Sequence, residues 1–423
     1  MGTDGPANRR DTPLGACLSP FGVIRRGREI SSRPYWAETR PFMNDERPEH
    51  LAELIVDASD REPDLLWASG FLAVDAFTWL RDSTGSAILL TDLELGRGEK
   101  EACVDEVVSL SAMERAAKEA QNVESVPFEG VVLHWLKSRG IEGVRVPYRF
   151  PLLLADHLRR GGIQVDPTPD PFFSGRRIKQ DHEIRCLEES QAATEAAMEL
   201  AIGMIRASEE GEDRILQLAG EPLTSEFIKI AVRSFLLEKG LQLGDFIVAS
   251  GDQGCDPHDV GSGPIRAGET IICDIYPQHM THRYWGDMTR TVVKGQASED
   301  QIRLHAAVLE AQETAISMIR PGACGREIHS KVQEIFEEAG FPTEKRDGQW
   351  VGFFHGTGHG LGLDIHEGPR ISAVGPPLEE GMVVTVEPGL YYPGLGGCRI
   401  EDVVLVTADG CRNFNQASKE LEV

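Results

Sequence analysis

The feature that most constrains this 423-residue chain is a weak internal repeat in its C-terminal half. Each copy opens with a helical stretch that stops at a glycine: 225–239 before Gly240, and 326–339 before Gly340. Glycine just past the last helical residue is the usual left-handed cap. Each copy then passes through a segment containing Gly and His into a turn and an apolar strand, 266–274 in the first and 379–387 in the second. In both, a carboxylate falls six residues after the turn glycine, from Gly268 to Asp274 and from Gly381 to Glu387. A second carboxylate follows 13 residues later in the first copy (Asp287) and 14 later in the second (Glu401). Each leads into a β-rich run, 289–293 and 403–407.

Two copies of one strand pair, folded with approximate two-fold symmetry, bring two Asp and two Glu to one centre. Four carboxylates cannot share a small buried site while ionised unless cations neutralise them. The repeat therefore predicts metal, and the count suits two divalent ions. His359 breaks the symmetry. It lies in His355-Gly-Thr-Gly-His359-Gly-Leu-Gly-Leu-Asp-Ile-His366-Glu367, where glycine lets backbone approach a ligand closely. An oxygen-rich set with one imidazole favours a hard ion such as Mn²⁺ over a thiolate-type zinc site, with Co²⁺ and Zn²⁺ as alternatives.

Composition narrows the partners. The chain carries 43 Lys+Arg against 68 Asp+Glu, a net charge of -25. Such a surface repels phosphate backbones and argues against nucleic acid. No apolar run approaches the roughly 18 residues of a membrane helix, and no secretory signal is visible. Eight scattered cysteines without a CxxC pair read as reduced thiols of a cytoplasmic protein.

Residues 1–43 are Arg-rich, acid-poor and aperiodic, and are expected to be a disordered extension. A transit peptide is the alternative, with Met43 as a candidate start. Residues 44–175 read as mixed α/β, with helices over 50–58, 131–138 and 152–160. Strands are expected over 64–70, 86–91 and 143–146. No catalytic constellation is visible there, which suits a scaffold, interface or lid, with Trp and Phe near 67–80 as its core. Pro167, Pro169 and Pro171 mark a linker, and a long helix is expected over 176–205. The boundary falls near 175. His279 and His282 are expected to be solvent-exposed.

Gly286-Asp-Met-Thr-Arg-Thr291, His355-Gly-Thr-Gly-His-Gly360, Val386-Glu-Pro-Gly-Leu-Tyr391 and Arg399-Ile-Glu-Asp402, in this order, resemble the blocks of the pita-bread metallopeptidases. That family includes methionine aminopeptidase, Xaa-Pro aminopeptidase and prolidase. The resemblance covers 176–423 closely. Residues 44–175 resemble, more weakly, the N-terminal domain of the Xaa-Pro and creatinase branch. The fold class it implies is α/β (α+β), a creatinase-like N-terminal α/β domain followed by a catalytic pita-bread domain with an internal pseudo-two-fold repeat. The family pattern makes Asp274, Asp287, His359, Glu387 and Glu401 the metal ligands, and His258, His355 and His366 the histidines that handle substrate. The chain departs from it in the 274–287 hairpin, where Pro277-Gln-His-Met-Thr-His282 adds two residues, and in Ile275-Tyr-Pro beside Asp274. An even insertion at the tip leaves both aspartates on one face.

The activity this resemblance implies is a dinuclear-metal exopeptidase. It hydrolyses the Xaa-Pro bond at the N-terminus of peptides by a metal-bridged hydroxide. Glu387 is the expected proton shuttle and His366 the donor to the carbonyl oxygen. His258 and His355 are expected to hold the leaving residue. Arg399 is expected to orient Glu401 or meet a substrate carboxylate. The partner is a peptide with proline second, and the family expectation is a homodimer. An Xaa-Pro dipeptidase is the near alternative. A creatinase-like amidinohydrolase and a catalytically silent scaffold on the same fold are the distant ones, and five intact ligands count against both.

Overall fold

The structure, a computed structural model, describes residues 51–423. The extension expected over residues 1–43 lies outside them.

The N-terminal layer is a six-stranded mixed sheet built from β1 (Ala52–Asp57), β2 (Phe77–Asp82), β3 (Gly85–Leu90), β4 (Glu106–Ser109), β5 (Gly143–Pro147) and β6 (Gln164–Thr168). Their spatial order is β4-β3-β2-β1-β5-β6. Helices α1 (Pro63–Ser69), α2 (Leu95–Glu101), α3 (Leu110–Gln121), α4 (Phe128–Ser138) and α5 (Leu152–Arg160) accompany it. The expected helices at α4 and α5, and the expected strands at β3 and β5, are present.

Two expectations are corrected. The segment read as a helix over 50–58 is the strand β1. It sits inside the sheet between β2 and β5, so Ala52 to Val56 are all buried and no two-residue alternation is left to read. The segment read as a strand over 64–70 is the helix α1. Pro63 occupies its first turn, the Glu62 side chain caps the Asp64 N–H, and Gly70 closes it at φ 60°. Pro167, taken as a linker residue, belongs to β6, an edge strand where the missing N–H does no harm.

A 27-residue helix, α6 (Asp181–Ala207), starts with a Gln180/Glu183 capping box, five residues later than expected. A 3₁₀ turn over Ser174–Arg177 precedes it. A small sheet of β7 (Glu209–Glu210), β8 (Leu216–Leu218) and β9 (Glu221–Pro222) leads to α7 (Ser225–Glu238) and β10 (Leu241–Gln242). Then come the strands of the first copy, β11 (Ile247–Ser250), β12 (Thr270–Ile275), β13 (Gln278–His279) and β14 (Met288–Val293). The second copy brings α8 (Glu299–Met318), α9 (Gly325–Glu338), β15 (Glu344–Arg346) and β16 (Gln349–Val351). Its main strands are β17 (Gly358–Gly360), β18 (Glu367–Ile371), β19 (Val383–Val386), β20 (Gly389–Tyr392), β21 (Gly396–Arg399), β22 (Asp402–Thr407) and β23 (Gly410–Asn413).

The two copies form separate sheets, β11-β12-β14 and β18-β17-β19-β22-β23. The glycines expected to end their leading helices, Gly240 and Gly340, have φ of 83° and 84°. Apolar residues of α6 and α7 pack on the first sheet, with Met198, Val232 and Leu236 against Ile271, Cys273 and Val292. Those of α8 and α9 pack on the second, with Val308 and Val332 against Val384 and Val404. A third cluster joins the N-terminal layer to the rest, uniting Leu65, Trp79 and Phe173 with Leu187, Tyr284, Leu361 and Val403. No helix among the described residues is long and apolar enough to cross a membrane.

Candidate metal centre

The four carboxylates sit at the ends of the two strand pairs. Asp274 is in β12 and pairs in register with Thr289 of β14, so Asp287, two residues before Thr289, faces the same side. Val386 pairs with Asp402, which puts Glu387 opposite Glu401. The two pairs meet where β14 touches the segment before β22. There Glu401 N–H donates to the Thr289 carbonyl (3.0 Å), and the Thr289 hydroxyl donates to Glu401 Oε2 (2.8 Å).

The 274–287 hairpin carries its extra length away from this centre. Gln278 and His279 form β13, which pairs with β10 beyond α7. The expectation of exposed histidines is corrected here. The His279 and His282 rings stack at 3.8 Å, His282 is buried, and their Nδ1 atoms accept from Thr281, His282 and Tyr284 backbone N–H groups. The hairpin returns to α6 at Gly286, where a Cβ would collide with Thr194 Oγ1 and the Ser190 carbonyl. That approach lets Gln191 of α6 clamp the Asp287 backbone, accepting from its N–H (2.9 Å) and donating to its carbonyl (2.7 Å).

His359 comes from β17. Its Nδ1 donates to the Gly360 carbonyl (3.1 Å), which fixes the tautomer and leaves the Nε2 lone pair facing the carboxylates. Nε2 lies 3.5 Å from Glu387 Oε1 and 3.7 Å from Asp287 Oδ2. Ligand atoms of Asp287, His359 and Glu401 all fall within 4.8 Å of one another.

The residues fit a cation on three further grounds. Burial and the facing carboxylates push Asp287 and Glu401 well above the usual carboxylate range, and burial pushes Glu387 up to about 7. Burial and the neighbouring His366 hold His359 down at about 3, so it is neutral and able to ligate. Asp274 Oδ1 is buried without a hydrogen-bond partner. Unpaired charge at such a density calls for a positive ion.

All nine sequence-predicted residues line one cavity of about 850 Å³. His366 lies perpendicular to His359 with ring centroids 4.4 Å apart, and His258 is exposed on the loop after Cys255. His355 is more committed than the sequence suggests. Its Nδ1 donates to the Gly356 carbonyl (2.7 Å) and its Nε2 accepts from the Tyr391 hydroxyl (2.9 Å), so it offers the cavity a ring surface. Arg399 orients Asp274 rather than Glu401: Nη2 donates to Asp274 Oδ2 (2.7 Å) and Nη1 to the Tyr391 hydroxyl (2.8 Å). That guanidinium is thus engaged on two sides, and a second arginine, Arg370, lines the same cavity.

Sequence reasoning missed Gln191, Tyr391 and Arg370 as site residues. Tyr391 and Arg370 follow Glu387 and His366 closely, so proximity to a ligand block was the signal available. Gln191 has no local signal, because it acts across almost a hundred residues of chain.

The sequence pattern of metallopeptidase family M24 matches residues 185–408, more than half of the chain. The chain belongs to metallopeptidase family M24. Among curated relatives, the Xaa-Pro dipeptidase of Pyrococcus horikoshii is 31% identical over 72% of this chain and 82% of its own length. That of Pyrococcus furiosus is 41% identical over 42% of this M24 chain, and the match spans about half (49%) of the relative. The solved Xaa-Pro dipeptidase of Bacillus anthracis superposes with a TM-score of 0.73 at 26% identity, covering 88% of this chain and 95% of its own. As an M24 member this protein is a metallopeptidase, and its mixed α/β fold is that of the Xaa-Pro peptidases it resembles.

Proposed function

We propose that this protein is an exopeptidase that hydrolyses the Xaa-Pro bond at the N-terminus of peptides. The observation that carries the reading is the convergence of Asp287, His359 and Glu401 within 4.8 Å, in a cavity that also holds Asp274, Glu387 and three further histidines. In this reading Asp274, Asp287, His359, Glu387 and Glu401 hold two divalent ions, with Mn²⁺ favoured by the oxygen-rich set. When bound, such ions neutralise the carboxylates and make water a nucleophile at neutral pH.

The chain's own residues do the rest. Glu387, at the rim of the carboxylate cluster, takes the proton of the attacking water and delivers it to the prolyl nitrogen. His366 donates to the scissile carbonyl oxygen as negative charge develops. The His355 ring and His258 wall the leaving residue. A prolyl nitrogen has no hydrogen and its ring fixes φ, so a dedicated site for it is chemically reasonable. Arg399 holds Asp274, which is a positioning role. The same proposal takes 44–175 and 176–423 as the N-terminal and catalytic domains of a cytoplasmic homodimer, the compartment supported by cysteines scattered along the sequence without a CxxC pair.

A dipeptidase is the second reading. It is favoured by the names of the two Pyrococcus relatives and by Arg370, placed to meet the carboxylate of a dipeptide. The test is Mn²⁺-supplemented hydrolysis of Xaa-Pro dipeptides, longer Xaa-Pro peptides and proline-free controls. Cleavage confined to Xaa-Pro substrates is expected. Failure to cleave any of them after Mn²⁺ or Co²⁺ addition would overturn the reading.

A further inference from the structure

A second cavity, of about 540 Å³, adjoins the metal cavity. The two share four wall residues, Phe354, His355, Gly356 and Ser372, so the Phe354–Gly356 segment is a saddle between them. The volume is within the range of roughly 300–1,000 Å³ typical of ligand pockets. Its outer wall is the β15–β16 hairpin, whose Trp350 is 54% exposed. Phe354 on the saddle is 37% exposed, so two aromatic side chains of the lining are accessible to a ligand.

The hairpin is tied to the catalytic side. Thr343 Oγ1 donates to the Phe353 carbonyl and accepts from the Phe353 N–H, both at 3.0 Å. Gly352 N–H donates to the carbonyl of Tyr391, the residue whose hydroxyl holds His355 (3.0 Å). The inner wall adds His329, whose Nδ1 is engaged by Thr357 Oγ1 (2.9 Å), leaving Nε2 for the cavity. Gln333, exposed on α9, adds an amide.

We infer that this second cavity is the subsite for substrate residues that follow the proline. The inference rests on the Xaa-Pro exopeptidase reading and gives it a length preference. An enzyme that removes the first residue keeps the N-terminal ammonium beside the carboxylates and must give the rest of the peptide an exit past the leaving residue. His355 walls that leaving residue, and around it the two cavities share Phe354, Gly356 and Ser372, which form the passage from one to the other. Trp350 and Phe354 then stack on the downstream side chains, while His329 and Gln333 meet peptide carbonyls. The occupant is an extended peptide of one or two residues, and the enzyme is an aminopeptidase in use even where dipeptides are also cleaved.

The test compares kcat/KM for an Xaa-Pro dipeptide with that for an Xaa-Pro-Xaa-Xaa tetrapeptide carrying a hydrophobic third residue, in the Mn²⁺-loaded full chain. Two variants are used, Trp350→Ala and Ala373→Trp, the second filling the cavity from an exposed position. The tetrapeptide-to-dipeptide ratio should fall about tenfold in each, chiefly through KM, by loss of one aromatic contact in the first and by exclusion of the downstream residues in the second. A wild-type enzyme that cleaves dipeptides but not tetrapeptides would overturn the subsite alone. So would a ratio unmoved in both variants. No cleavage of any Xaa-Pro substrate would instead bring down the exopeptidase reading beneath it.

Discussion

The two copies of the repeat use the same frame differently. In the first, Asp274 stands opposite Thr289 and diagonal to Asp287; in the second, Glu387 stands opposite Glu401. Beside them, β11 holds the place next to β12 that β17 holds next to β19. Ser250 pairs with Ile271 and Gly360 with Val384, each three residues before its copy's first carboxylate. By that register the counterpart of His359 is Ala249, which is fully buried. The duplication supplies carboxylates twice and the imidazole once. Divergence fell on the third strand and the hairpin tip, where change leaves the shared carboxylate face intact.

The largest expected effect falls on that shared face. Glu401→Gln and Asp287→Asn should each lower kcat/KM by more than the roughly 10–100-fold typical of outer-shell partners. Equal losses would support equivalent copies, whereas a variant within a few-fold of wild type would remove its copy from the centre. Arg399→Lys should come next, at about 10–100-fold, because lysine keeps the charge but loses the fork that joins Asp274 to Tyr391. Steady-state kinetics with metal content measured in parallel would check it, and an unaffected enzyme would show that the first copy needs no outside support.

Gln191→Leu leaves both Asp287 backbone groups without their side-chain partner. Urea unfolding should show a loss of about 1–3 kcal/mol. The smallest effect lies outside the repeat. Burial, with Asp64 beside it, raises Glu62 to about 7. A carboxyl raised on folding contributes stability that is fully present below its unfolded value near 4.5 and is lost as pH rises through about 7. Wild type should therefore lose more stability between pH 5 and 8 than Glu62→Gln does, and parallel pH profiles would count against this assignment.

What was legible in the sequence follows from the same comparison. The carboxylates could be read because spacing within a strand pair is local and was written twice. The α/β character of the N-terminal layer was readable, but β1 and α1 were exchanged. A strand buried between two neighbours shows no alternation, and the helix signals Pro63 and Gly70 flank too short a run for periodicity to appear. The burial of His282 depends on β13 reaching β10, a contact that nothing in the hairpin's own sequence encodes. Gln191 acts on Asp287 across 96 residues and leaves no trace in local patterns, whereas the Arg399–Tyr391–His355 chain joins residues of neighbouring motif blocks whose pairing the spacing alone does not show.

In the proposed reading, two copies of a carboxylate pair, with His359 added to one, hold two ions. The most direct measurement is the Mn²⁺ content per chain of wild type and Glu401→Gln, by elemental analysis after equilibration and desalting. Two ions per wild-type chain and fewer in the variant are expected. No retained ion in wild type, or the same content in both proteins, would contradict it.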